Sequence, residues 1–316
     1  MRLIFLGTPA FAVPTLERIV AAGHNVLAVV TQPDRPRGRG QIAAPPPVKQ
    51  AAMRLGLPVY QPERVRRPEA VEYLRAIPVD AMVVVGYGQI IPQSIIDMAP
   101  LGIINVHGSL LPKYRGAGPI QWAILNGETR TGVTTIRIDA GLDTGDMLLK
   151  METEIGPDET AVELGQRLAV IGADLLVDTL DGLHAGRIVA EKQDNAQASY
   201  APLLKKEDGR IDWTRDAQAI HNQVRGLQPW PGASTTFRGQ ALHIWRSRVA
   251  GGAPSSVEPS GAGGTLASIK PPVVSCGTGT LELVEVQLEG RKRIPAADFA
   301  NGQRLTENES LGDPPA

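Results

Sequence analysis

The sequence predicts an α/β fold class in two parts: a Rossmann-like, mostly parallel sheet with helices on both faces, then a small C-terminal β-barrel. Three observations predict it. Short apolar runs alternate with helical patterns through the first half, which is the signature of a parallel sheet. The pattern changes after residue 206 to short strand-like runs separated by Gly, Pro and Ser, as in small all-β units. A chain of 316 residues with 42% hydrophobic content is long enough for two domains with a sizeable core.

Residues 3–6, 26–31, 81–85, 103–106 and 133–138 have the apolar character of strands, and 14–22 and 48–55 fit the helices between them. Residues 160–182 carry Val162, Leu164, Leu168, Ile171, Leu175, Leu176 and Leu180 at near-helical spacing, a core stripe that closes the first domain. Residues 189–206 are polar and poorly periodic, and form a connector. The expected division is therefore 1–189, a linker at 190–206, and 207–316. In the last part a helix is expected over 217–225 and strands over 233–237, 242–249, 265–269 and 281–288, with 251–264 a low-complexity mobile loop.

Composition limits the function. The single Cys276 excludes an intramolecular disulfide framework and is expected to be a small buried hydrophobe. No His and Cys cluster has metal-ligand spacing, so the expectation is a metal-free site in a reducing compartment. No apolar run reaches the roughly 18 residues of a membrane span, and residues 1–6 run into a strand rather than a leader. A cytoplasmic monomer that binds no membrane is expected. The net charge of −1 argues against a globally basic coat for nucleic acid. Basic residues are nevertheless bunched at Arg35, Arg37 and Arg39, at Lys205 and Lys206, and at Arg291, Lys292 and Arg293, and local patches matter more than totals for phosphate binding.

The chemistry-bearing stretch is Asn105-Val106-His107-Gly108-Ser109-Leu110-Leu111-Pro112, followed by Gly141-Leu142-Asp143-Thr144-Gly145-Asp146. Strand alternation puts Asn105 and His107 on one face, at a carboxyl end of the sheet, where ligands of such folds gather. An amide, an imidazole and a carboxylate can hold a carbonyl, stabilise the charge that forms on it and move a proton away. Asp146, three residues after Asp143, suggests a paired-acid mechanism, but on a glycine-rich loop it is expected to fix backbone N–H groups instead. Residues 32–47, rich in Arg, Gly and Pro, are too irregular for helix or strand and are expected to be a loop at the same sheet edge.

Asn-x-His-x-Ser-Leu-Leu-Pro followed by Leu-Asp-x-Gly-Asp resembles the signature of the folate-dependent formyltransferases. Gly7-Thr8-Pro9-Ala10-Phe11-Ala12, the run from Thr31 to Gly40, and Tyr87-Gly88-Gln89-Ile90-Ile91-Pro92 extend the resemblance over nearly the whole chain and toward the branch of the family that acts on tRNA. The resemblance implies an OB-like C-terminal barrel that binds tRNA, and formyl transfer from 10-formyltetrahydrofolate to methionyl-initiator tRNA for translation initiation. It implies catalysis by Asn105 and His107 as oxyanion donors and Asp143 as a proton acceptor, directly or through water. The folate would lie against Gly88, Gln89, Ile90 and Ile91 and the loop at 139–143, with Ser109, Leu110, Leu111 and Pro112 as the wall. Arg35, Arg37, Arg39, Lys205 and Lys206 would contact tRNA, Arg39 foremost. Which of His107 and Asp143 is the immediate base, and where the methionine side chain sits, stay open.

Three other readings compete. An amino-sugar-nucleotide formyltransferase would use the same Asn, His and Asp, and the arginines of 31–40 argue against it. A nicotinamide oxidoreductase needs glycines where Pro9 and Ala12 stand. A non-catalytic RNA-binding protein has no need for Asn105, His107 and Asp143 together.

Overall fold

A computed structural model of the chain describes residues 1–37, 42–250, 263–307 and 309–312. The expected contact residue Arg39 and most of the expected loop at 251–264 lie outside these. The chain divides into two compact units. The first comprises Met1–Pro119, Arg130–Glu154 and Gly165–Ala201, and the second Ile120–Thr129, Ile155–Leu164 and Pro202–Ala316. Two short segments of the first half thus belong with the C-terminal unit.

In the first unit, strands β1 (Arg2–Gly7) and β2 (Asn25–Val30) are followed by β3 (Arg35–Arg37), β4 (Ile42–Ala44), β5 (Val59–Tyr60), β6 (Ala81–Val85), β7 (Ile103–His107), β8 (Arg130–Arg137) and β9 (Met147–Glu154). Seven of them form one sheet in the order β5-β2-β1-β6-β7-β8-β9. The pairs β2–β5, β1–β2, β1–β6 and β6–β7 are parallel, whereas β7–β8 and β8–β9 are antiparallel. The order reverses at β1, which makes a topological switch point beside β6. Helices α1 (Val13–Ala21), α2 (Pro47–Arg54), α3 (Pro68–Arg75) and α4 (Gln93–Ile96) occupy the connections. Strands β6 and β7 are buried along their whole length, which is why both read as unbroken apolar runs.

The expectation of an unstructured loop over 32–47 is corrected: β3 and β4 pair antiparallel, Arg35 opposite Ala44 and Pro36 opposite Ala43. Arg35, Pro36 and Ala43 are exposed, so burial imposes no alternation on them and nothing in Arg-Pro-Arg announces the ribbon. Strand β9 was likewise not expected. Its residues Lys150, Met151 and Glu152 are exposed at the sheet edge, so it lacks the apolar run of its neighbours.

Helices α5 (Pro119–Leu125) and α6 (Ala161–His184) follow. A Cβ on Gly172 of α6 would lie 2.7 Å from Val106 Cγ1 of β7, so the helix approaches the strand closely only because that position is glycine. The Thr135 and Thr179 hydroxyls are bonded at 2.9 Å, which satisfies two buried polar groups at the same helix–sheet layer.

The second unit holds α7 (Ala217–Gly226), strands β10 (Ala233–Phe237), β11 (Gln240–Val249), β12 (Leu266–Ile269), β13 (Pro272–Ser275), β14 (Thr280–Leu288) and β15 (Ile294–Pro295), and α8 (Ala296–Gln303). Its antiparallel sheet runs β10-β11-β14-β13-β12, with β15 on β14, the small OB-like β domain expected. Trp213, Ile220, Phe237, Leu242, Ile244, Leu283, Val286 and Phe299 share its core. Cys276 is 1% exposed, and burial pushes its thiol pKa up to about 12, the behaviour of an inert buried side chain.

Candidate active site

Asn105 and His107 emerge from the C-terminal end of β7, one residue apart and both buried. Asp143 comes from the β8–β9 connection, in the left-handed region at φ 53°. Its carboxylate lies between the other two side chains. Asn105 Nδ2 donates to Asp143 Oδ1 at 3.4 Å, and His107 Nδ1 stands 3.7 Å from Oδ2. The Gly116 backbone N–H donates to the same Oδ2 at 2.9 Å. The structure therefore brings the three sequence-predicted catalytic residues together.

The imidazole has a fixed orientation. His107 Nε2–H donates to the Tyr114 carbonyl at 2.9 Å, so Nδ1 is the nitrogen left to face Asp143 and a reacting group. Tyr114 is itself left-handed, φ 63°, and its N–H donates to Ser199 Oγ at 2.9 Å.

The loop around Asp143 is held from within by a different acid than expected. Asp139 Oδ1 accepts the Gly141 N–H at 3.0 Å and the Thr144 hydroxyl at 2.7 Å. The Asp146 carboxylate makes no hydrogen bond to another described residue, and it is the Asp146 carbonyl that accepts from Arg137 N at 2.9 Å. The reason is local: an Asp side chain reaches the N–H two residues onward, and Asp139, not Asp146, stands two residues before the turn.

Ser109, Leu110, Leu111 and Pro112 continue the chain beyond β7. The Ser109 hydroxyl donates to Lys113 O at 2.6 Å and the Ser109 carbonyl accepts from Thr134 Oγ1 at 2.7 Å, while Leu111 packs with Ile136 and Met147. Across the sheet end, Gly88 (φ 82°) opens the segment after β6. Gln89 ties that segment down, its Oε1 accepting from Val65 N at 2.7 Å, and Ile90 is 87% exposed. The Tyr87 carbonyl takes the Thr8 hydroxyl at 2.9 Å and Gln32 Nε2 at 3.2 Å. These bonds link the loops after β1, β2 and β6 at the switch point.

Arg35 is exposed on the ribbon. Lys205 and Lys206 are exposed in the second unit. Of the third basic bunch, Arg293 pairs with Glu285 at 2.5 Å and lies over the Trp245 ring.

Residues that the sequence did not single out complete the surroundings. Gln193 Nε2 donates to the carbonyls of Asp143 at 2.7 Å and Gly145 at 2.8 Å. Arg115, 2% exposed, donates from Nε to Gln193 Oε1 and from Nη2 to Asn195 Oδ1, each at 2.9 Å. The one available signal is Arg115-Gly116, three residues after Pro112, a charged residue inside a turn-rich stretch.

Comparison with known proteins accords with this geometry. Residues 1–180 match the model of the family described as formyl transferase, and 203–304 that of the formyl transferase C-terminal domain. The chain is 74% identical over 313 residues to the methionyl-tRNA formyltransferase of Solibacter usitatus, covering 99% of both proteins. It is 55% identical to that of Koribacter versatilis over 99% of both. Among solved structures, the sugar 3N-formyl transferase WlaRD, crystallised with dTDP and 5-N-formyl-THF, shares the fold at TM-score 0.67 and 19% identity, over 92% of this chain and 99% of that one. HypX from Aquifex aeolicus in complex with tetrahydrofolic acid does so at TM-score 0.65 and 16% identity, over 98% of this chain and 48% of that one. With both domains matched along its length and Asn105, His107 and Asp143 gathered at one sheet end, the chain belongs to the formyl transferase family.

Proposed function

We propose that this protein transfers the formyl group of 10-formyltetrahydrofolate to the α-amino group of methionyl-initiator tRNA, giving N-formylmethionyl-tRNA for translation initiation. The observation that carries this reading is the 74% identity, over 99% of both proteins, to a methionyl-tRNA formyltransferase. The sugar formyltransferases share the fold at 19% identity, a likeness of scaffold that says nothing of the acceptor.

The amine nitrogen attacks the formyl carbon. A C–N bond forms and the carbonyl electrons move to oxygen. The nitrogen then loses a proton, the oxyanion collapses, the bond to N10 of the folate breaks, and N10 takes up a proton. The Asn105 amide and protonated His107 Nδ1 donate to the oxyanion, where one donor contributes about 10² to 10³ in rate. The Asp143 carboxylate, 3.7 Å from His107 Nδ1, receives the amine proton directly or through a water and passes it on to N10 as the bond to N10 breaks. No protein nucleophile is required, because the amine attacks once both substrates are aligned.

Gly88, Gln89, Ile90 and Ile91 hold the pterin, with Ser109, Leu110, Leu111 and Pro112 as the wall. The left-handed Gly88 supports this, since a glycine lets backbone approach a ligand closely. Arg35, Arg37, Arg39, Lys205 and Lys206 contact tRNA phosphates. Residues 1–189 form the catalytic part, 190–206 the connector and 207–316 the tRNA-binding part of a cytoplasmic monomer. The test is direct: purified protein with 10-formyltetrahydrofolate is offered methionyl-initiator tRNA or a dTDP-linked amino sugar. Formylation of the tRNA alone is the expected result, and formylation of the sugar alone overturns the reading.

A further inference from the structure

The polar segment 191–201 holds both residues of the site that sit in left-handed backbone. Asp143 and Tyr114 are two of four non-glycine residues with positive φ among the described residues. Such conformations persist only where the surroundings over-determine them. Here those surroundings are one stretch of chain. Met147 and Glu191 exchange two backbone hydrogen bonds of 2.8 Å. Gln193 then places its amide under the Asp143 turn, with Nε2 donating to the carbonyls of Asp143 and Gly145. Its Oε1 accepts from the buried Arg115, whose Nη2 reaches Asn195. Further on, Ser199 Oγ accepts from Tyr114 N, Ser199 O accepts from Arg115 N, and Ala201 N donates back to Arg115 O. A Cβ on Gly116 would lie 2.7 Å from Ala201 O, so this packing also requires the glycine whose N–H holds the Asp143 carboxylate.

We infer that Gln193 is a positioning residue for formyl transfer: its two amide donors fix the Asp143 turn, and so the carboxylate, relative to Asn105 and His107. Both amide hydrogens are committed to carbonyls 143 and 145, and the amide oxygen to Arg115, so each end of the side chain has one job. Removing the donors frees the turn from its left-handed conformation, and the carboxylate drifts from the reacting nitrogen. Misplacement by about 1 Å costs on the order of 10² in rate. The Gln193 donors do not touch the 88–91 side of the folate pocket. The loop at 139–143 on its other side keeps its internal tie, the Asp139 carboxylate on Gly141 N–H and the Thr144 hydroxyl, so ground-state binding of folate and tRNA is expected to change little.

The inference rests on Asp143 being catalytic, and the experiment separates the two claims. Gln193→Glu keeps an oxygen for Arg115 and loses both donors; Gln193→Met loses both functions at similar volume. Steady-state formylation and thermal melting are measured for each, for Asp143→Ala, and for Asp143→Ala combined with each. Expected are a kcat lowered about 30- to 100-fold in both Gln193 variants, with KM for either substrate within about threefold of the parent. Each double variant should be no slower than Asp143→Ala alone, because a residue acting through Asp143 has nothing left to position. A folded Gln193→Glu with parental kcat beside an impaired Asp143→Ala overturns the inference, as do losses that multiply in the double variants. If Gln193→Glu does not fold, Gln193→Met decides by the same criteria. Parental activity in Asp143→Ala overturns instead the catalytic reading of Asp143.

Discussion

The Asp143 carboxylate is divided between its neighbours: Oδ1 takes the Asn105 amide, and Oδ2 takes Gly116 N–H and faces His107. Replacing Asn105 by Asp puts a second acid within 3.4 Å of the first and removes an oxyanion donor. Two carboxylates that close cannot both ionise freely, so one retains its proton to higher pH. Asn105→Asp should therefore lower kcat by about 10² or more at neutral pH, with part of the loss recovered on acidification, where the introduced carboxyl group is protonated and can donate again. A kcat profile between about pH 5.5 and 8 checks this, and a variant as active as the parent at neutral pH contradicts the donor role. The meeting of Asn105, His107 and Asp143 was legible because the proposed chemistry draws on those residue types at a strand end and on a glycine-flanked loop. Gln193 and Arg115 were not. Gln193 acts on main-chain carbonyls about fifty positions away, and a carbonyl leaves no trace in a sequence.

Elements follow the same logic. β1, β2, β6 and β7 were foreseen because they are buried and apolar, whereas the exposed Arg35, Pro36 and Ala43 of β3 and β4 and the exposed Lys150, Met151 and Glu152 of β9 left no pattern to read. The turn into β9 depends on Gly145, where a Cβ would collide with the Arg137 carbonyl. Gly145→Ala should destabilise the protein by about 1–3 kcal/mol, the usual cost of forcing atoms into filled space, and lower activity by displacing Asp143; an unchanged melting temperature contradicts this. In α7, His221 Nε2–H donates to Pro157 O at 3.1 Å and Nδ1 accepts from Ser247 Oγ at 3.1 Å, an arrangement that suits the neutral ring. Burial lowers the His221 pKa below 6.5, against the opposing effects of the Pro157 carbonyl and Asp158. The unfolded chain takes up this proton first as pH falls, so the contribution to stability is complete above about pH 6.5 and is lost below it, down to the lowered folded-state value. His221→Gln should flatten the fall in melting temperature between about pH 7.5 and 5.5, and parallel curves for parent and variant contradict the assignment.

At the scale of the whole molecule, a net charge of −1 leaves tRNA affinity to local groups. Lys205 and Lys206 are exposed, and replacing both with Ala should raise the KM for tRNA, leave KM for folate unchanged, and reduce the salt dependence by about one unit of log–log slope for each phosphate no longer neutralised. Formylation against tRNA concentration at two salt levels measures it, and an unaltered slope removes the pair from the interface. The two-part architecture was legible from the change of periodicity after residue 206. The assignment of Ile120–Thr129 and Ile155–Leu164 to the second unit was not, because neither segment differs in composition from the chain around it. The proposed site performs formyl transfer through Asn105, His107 and Asp143 together. Its most direct test is the single-turnover rate of N-formylmethionyl-tRNA formation, at saturating 10-formyltetrahydrofolate and methionyl-initiator tRNA, for the parent and His107→Ala. A chemical step slowed by about 10² or more with donor affinity retained is expected for His107→Ala, and a folded variant reacting within about threefold of the parent would overturn the role of His107.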